Sequence, residues 1–188
     1  MTEATTFKER HFLPLTMFLD SARKFVAKIN SDDLPQWPDL MAAASVLSLS
    51  LEALVNSLGP FLVADFADFD SASPVAKLRI ICEKAGLPFD KSRKPISDIL
   101  ELARFRNKVA HPKYKRLNYT SERLPLHEAQ RLLRDESKTL HDLERSISPE
   151  AVNRWLKALL SVAGPLLDQL DPELKHGHSK SWLEIHEE

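Results

Sequence analysis

Apolar residues recur at three- and four-residue intervals along most of this chain. Phe12, Leu15, Phe18, Leu19, Ala22, Phe25, Val26 and Ile29 keep that spacing and predict a first helix over residues 7–29, with Pro14 either opening it or kinking its first turn. The stretch NSDDLPQWP is too polar and proline-rich to continue the helix and reads as a linker. Asp39 then stands where an N-cap belongs. The following LMAAASVLSLSLEALVNSL, apolar nearly all round, predicts a long second helix to about Leu58 at the centre of a bundle, broken off by Gly59-Pro60. Ser73, Pro74 and Gly86 supply the cap, first position and stop of a short third helix. Pro95 opens a fourth, which must end near His111 because Pro112 disfavours the α region for the residue before it. After a polar connector come a fifth helix over residues 126–147 and a sixth over 149–170 with a Gly-Pro break. No strand-like alternation is sustained and no internal repeat is found. The predicted fold class is all-α: an antiparallel helical bundle with additional N- and C-terminal helical segments, one domain over residues 1–170, and a polar, loosely attached tail over 171–188.

Composition narrows the function classes. The 188 residues are 43% hydrophobic and 28% charged, as in ordinary soluble globular proteins, and four glycines against twelve prolines favour helices punctuated by prolines. A formal charge of -1 gives no global attraction to nucleic acid or to an anionic membrane, so polyanion binding would need a local basic patch. The single cysteine, Cys82, lies in the apolar run LRIICEKAG, reads as core, and fits a reducing compartment. MTEATTFKERHF lacks the cationic-then-apolar design of a signal peptide, and the most apolar stretch, residues 40–64, is interrupted by Glu52 and Gly59-Pro60. The expectation is a cytoplasmic protein without membrane association.

The fourth helix carries two apolar stripes. One is Leu102, Phe105 and Val109; the other, Ile96, Ile99, Leu100 and Ala103, runs on to Arg106, Asn107 and Ala110. Arg106 therefore occupies a position that the pattern reserves for burial. A buried guanidinium requires a compensating anion, and Glu52, the lone acid of the second helix, is the candidate partner. That pairing leaves Asn107 and His111 unexplained, one helical turn apart on the same face. Around them stand Arg104, Arg106, Lys108, Lys113, Lys115 and Arg116 with no acid between residues 103 and 116, a local positive field extended by Lys91, Arg93 and Lys94.

With these residues in view, RNKVAHP resembles the Arg-x-x-x-x-His signature of the HEPN superfamily, and ASVLSLSLEALVNSL is similar to the second helix of such domains. The resemblance covers about residues 40–170. It implies a dimerising helical bundle, and in many members a metal-independent endoribonuclease of toxin–antitoxin, phage-defence or RNA-processing systems. Two protomers' Arg and His would meet at a dimer cleft, here Arg106 and His111, with Asn107 as polar neighbour and Glu52 in support. The chemistry is consistent with the residue types. RNA supplies its own nucleophile in the 2′-hydroxyl, histidine can exchange protons near neutral pH, and an arginine fork can neutralise a phosphorane-like transition state. Arg104, Lys108, Lys113, Lys115 and Arg116 would hold the phosphate backbone, and Tyr114, with Tyr119, would offer rings to unpaired bases.

Two other readings stay open. One is a HEPN-like module that binds a nucleotide, RNA or protein partner without cutting. The other is an unrelated helical scaffold in which Glu52, Arg106 and His111 form a covered structural network. No cofactor is implied. His176, His178 and His186 stand in a polar tail without a supporting carboxylate pattern, so no metal site is expected. The partners implied are a second copy of the chain, RNA, and an antitoxin or regulatory protein.

Overall fold

The computed structural model describes residues 3–10, 13–32, 36–111, 125–134, 146–175 and 179–186. Helix α1 (Pro14–Ser31) begins at its proline, seven residues later than the apolar spacing predicts, with Leu13 extended before it. The physical reason is local: Pro14 fixes its own φ for a first turn and biases the preceding residue away from the α region, which favours a helix start at this position. The segment ahead of it is instead a strand, β1 (Glu3–Arg10), paired antiparallel with β2 (Ser179–His186) in a register running from Glu3 opposite His186 to Arg10 opposite Ser179. The expected loose tail is thus ordered over β2, preceded by a short helical turn, Pro172–Lys175. Each strand's partner lies at the other end of the chain, so no hairpin signal marks either one.

The body of the protein is all-helical, as the periodicity predicts. Helix α2 (Trp37–Leu62) packs against α1, α3 (Pro74–Lys84), α4 (Ile96–Ala110) and α6 (Pro149–Leu167), and so occupies the centre. Asp39 is not its cap. Gln36 takes that position, and the Asp39 carboxylate lies 2.7 Å from Lys28 Nζ, tying the start of α2 to the last turn of α1. Nor does Gly59-Pro60 end the helix. A Cβ on Gly59 would lie 2.2 Å from the Phe66 ring, so the glycine is a seat for the short 3-10 turn Phe66–Phe69. Pro60 falls in the last turn, where its missing N–H forfeits a single ladder bond. The uninterrupted α2 is long and apolar enough to cross a membrane, yet 61% of its most apolar window is buried inside the protein.

The punctuation of α3 follows the sequence. The Ser73 hydroxyl accepts the Ala76 N–H at 3.3 Å to open α3. Gly86, with φ +69, closes it: Gly86 N–H donates to Glu83 O at 3.2 Å and Leu87 N–H to Cys82 O at 2.8 Å, the double bond of a Schellman stop. Ser148 caps α6 through the Ala151 N–H, and α6, against the expected break and end at residue 170, runs unbroken past Gly164-Pro165 and stops at Leu167. Helix α5 is described over Leu126–Arg134; the rest of the predicted fifth helix falls largely on residues 135–145, outside the described residues. Trp155 of α6, fully buried, lies 5.3 Å from the Phe105 ring of α4 and locks these two helices together.

Candidate functional site

The site follows from where α4 leaves the core. Its buried residues are Ile96, Asp98, Ile99, Leu102 and Phe105, and beyond Phe105 only Arg106 and Val109 are partly covered. Arg106 is the next residue. The side chain is 42% exposed rather than buried as the stripe predicts, because the neighbouring helices no longer cover that turn. Glu52, in the middle of α2, meets it from below: Arg106 Nε donates to Glu52 Oε1 at 2.8 Å, and Nη2 lies 2.7 Å from the same oxygen. Arg106 Nη1 donates to Asn107 Oδ1 at 3.4 Å. Three of the five guanidinium N–H groups are thereby placed, and two have no partner among the described residues. Glu52 keeps its second oxygen free of partners among the same residues.

A cleft of about 100 Å³ opens here between α2, the start of α3 and α4, with Glu52, Ala103, Arg106 and Asn107 in its wall. A second hollow of about 200 Å³ lies on the other side of Arg106, lined by Ser45, Leu49, Val109 and Ala110. Both the expected Glu52–Arg106 pairing and an opening to solvent are present together. The covered network of the scaffold reading is not, since Asn107 and His111 are exposed.

His111 ends α4, its backbone N–H donating to Asn107 O at 3.1 Å with φ -129. Its side chain is not among those lining the cleft. Arg104 and Lys108 lie two positions either side of Arg106, so helical geometry turns them about 200° away; with His111 they share another, solvent-facing side of α4. Asn107 stands between the two faces. Lys91, Arg93 and Lys94 belong to the opposite end of the helix, roughly 15 Å away at 1.5 Å per residue. There Arg93 lies 3.4 Å from Asp90 and Lys94 3.9 Å from Asp98. The single positive field read from the sequence is therefore two. Lys113, Tyr114, Lys115, Arg116 and Tyr119 lie outside the described residues, as do His176 and His178.

Two residues near the cleft escaped the sequence reading. Lys77 is only 4% exposed; its Nζ lies 3.0 Å from Asn56 Oδ1, 3.4 Å from Asp70 Oδ1 and 5.5 Å from the centre of the Phe66 ring. Asn56, one turn along α2 from Glu52, is thus held by a buried cation. The signal was available, because Lys77 precedes Ile81 by four residues and so shares its buried side. Asn56 and Glu52 also line a groove of about 480 Å³ between α1 and α2, walled by Phe18, Leu49 and Phe61. Among the described residues no three His, Cys, Asp or Glu side chains are grouped to hold a metal ion.

Fold and site together define a helical-bundle protein with a solvent-facing arginine–carboxylate–amide cluster at the end of a core helix. No family model, curated protein or solved structure matches the chain.

Proposed function

We propose that the protein is a metal-independent endoribonuclease of the HEPN type, acting as a homodimer and serving as a toxin or defence effector. The observation that carries this reading is the half-exposed Arg106, anchored by Glu52 yet with two N–H groups unpartnered among the described residues, beside Asn107 on the helix that His111 ends. An ion pair serving the fold alone has no need of an open cleft or of an exposed amide beside it.

In the reaction, one His111 removes the proton of the 2′-hydroxyl, whose oxygen attacks the adjacent phosphorus. The 5′-oxygen leaves with a proton from the second copy's His111. The products are a 2′,3′-cyclic phosphate and a 5′-hydroxyl. Arg106 neutralises the dianionic phosphorane with its two remaining N–H groups. Glu52 fixes the guanidinium so that no reorganisation is needed as charge develops, and Asn107 bridges the arginine side of α4 to the histidine side. The second copy supplies the proton donor that a single chain lacks, and the hollow beside Val109 and Ala110 is the surface that would receive it.

A second reading, a module that binds RNA without cutting, draws support from the position of His111 outside the cleft. Cleavage of a single-stranded RNA pool in EDTA decides between them. Wild type is expected to cut, leaving cyclic phosphate ends, while Arg106→Ala and His111→Ala fall by about 100-fold or more, the scale of a lost general acid–base or charge-stabilising group. Folded, inert wild type that still binds the pool would favour the module.

A further inference from the structure

The groove between α1 and α2 is built differently from the cleft at Arg106, and it shares a wall with it. Glu52 lines both. Its Oε1 receives Arg106, while its Oε2 has no partner among the described residues. Asn56 stands four residues on, so the two side chains share one face of α2, roughly 5–6 Å apart. Because Lys77 donates to Asn56 Oδ1 at 3.0 Å, the amide is oriented: its oxygen points at the buried ammonium, and its NH2 group is the end left to offer. Both residues line the groove, so its wall carries a carboxylate, which can only accept, next to an amide whose nitrogen is the end left to donate. Phe18 from α1 and Phe61 from α2 give it flat apolar walls, and about 480 Å³ lies within the range of small-molecule sites.

We infer that this groove is a base-recognition subsite, which takes one unstacked nucleobase carrying a ring N–H next to a ring carbonyl, that is uracil or guanine, from the strand whose phosphate lies at Arg106. The inference rests on the ribonuclease reading and names its substrate preference. The ring N–H donates to Glu52 Oε2 and the carbonyl accepts from Asn56 Nδ2; guanine adds its exocyclic amine to the same carboxylate. Cytosine and adenine carry a lone pair where the N–H is required, and that lone pair would face the carboxylate. Stacking on Phe18 and Phe61 serves every base, because every base has a π-face, so discrimination falls to the two polar groups. Lys77 acts as a positioning residue: without it the Asn56 amide could turn over and exchange donor for acceptor. Helix α1, outside the segment that carries the family resemblance, gains a role as one wall of the subsite.

The test uses a 12-nucleotide strand in which one position is ribose and all others are 2′-O-methyl, so that only one bond can be cut. Four such strands carry U, G, C or A at the ribose and are incubated with the full chain in EDTA. In parallel the four nucleoside 3′-monophosphates are titrated into the protein. Wild type is expected to cut after U and G about tenfold faster or more than after C and A, the discrimination of a good paired base contact. Asn56→Asp keeps a partner for Lys77, and its melting temperature reports that the fold is retained; the U and G preference should disappear. Phe18→Ala should weaken all four strands alike and leave the ratio intact. Equal rates for the four bases, or a preference that survives in Asn56→Asp, would overturn the subsite while leaving the nuclease reading in place. If wild type cuts none of the strands, the nuclease reading fails and the titrations decide. Selective, Asn56-dependent binding of the U and G monophosphates supports the subsite, and unselective or absent binding overturns it.

Discussion

Gly59 and Cys82 show how single positions constrain this fold. A Cβ at Gly59 would overlap the Phe66 ring, so Gly59→Ala must displace a ring that is itself nearly buried. Overpacking of that kind costs about 1–3 kcal/mol, to be read from urea denaturation, with Phe66→Leu in the same chain relieving part of the loss. Cys82 lies in the core, where burial pushes its thiol from 9.0 up to about 11. The neutral thiol is favoured in the folded state, so its contribution is complete below pH 9 and is lost as pH rises from 9 towards 11. The urea midpoint of wild type should fall across that interval by more than that of Cys82→Ala. Arg106 marks the limit of sequence reading at this scale. Its spacing and its partner Glu52 were legible, but its half-exposure was not, because spacing along a helix does not say where neighbouring helices stop. The burial of Lys77 had a signal in its spacing to Ile81, but its bond to Asn56 had none, since it joins α3 to α2 across a distance that no sequence period spans.

At the scale of elements, the cap and stop of α3 were legible, since Ser73 and Gly86 act within one turn of themselves, whereas Asp39 was misplaced as the cap of α2. The Gly-Pro pairs at 59–60 and 164–165 misled, because each was read as a break and each lies inside a continuous helix. The Glu52–Arg106 pair links α2 to α4 near the site, both partners being substantially exposed at 30% and 42%. A pair so placed contributes at most about 1 kcal/mol. Glu52→Gln is therefore expected to move the melting temperature little while lowering RNA cleavage by about tenfold or more, since the guanidinium loses its anchor. Equal losses of stability and activity would instead mark the pair as a fold element.

For the whole molecule, the bundle was legible from apolar periodicity because helices bury faces that recur locally. The terminal ladder was not, since its two halves carry no signal of each other. Under the proposed function the active unit is a pair of chains, joined over the hollow by Ser45, Val109 and Ala110. Ala110→Glu places a charge in that surface and is expected to convert a dimer to a monomer in sedimentation equilibrium, with RNA cleavage lost in parallel. A monomeric wild type that still cuts would remove the second histidine from the mechanism.

The pairing of β1 with β2 has a mechanical consequence. Glu3 faces His186 and Arg10 faces Ser179, so both chain ends leave from the same end of the ladder. A force applied between the termini therefore loads one rung at a time, as a zip is opened, instead of shearing all rungs together. The helical body carries no tension until the last rung at Arg10 and Ser179 has parted, which makes the ladder a clasp that must open before the body is loaded.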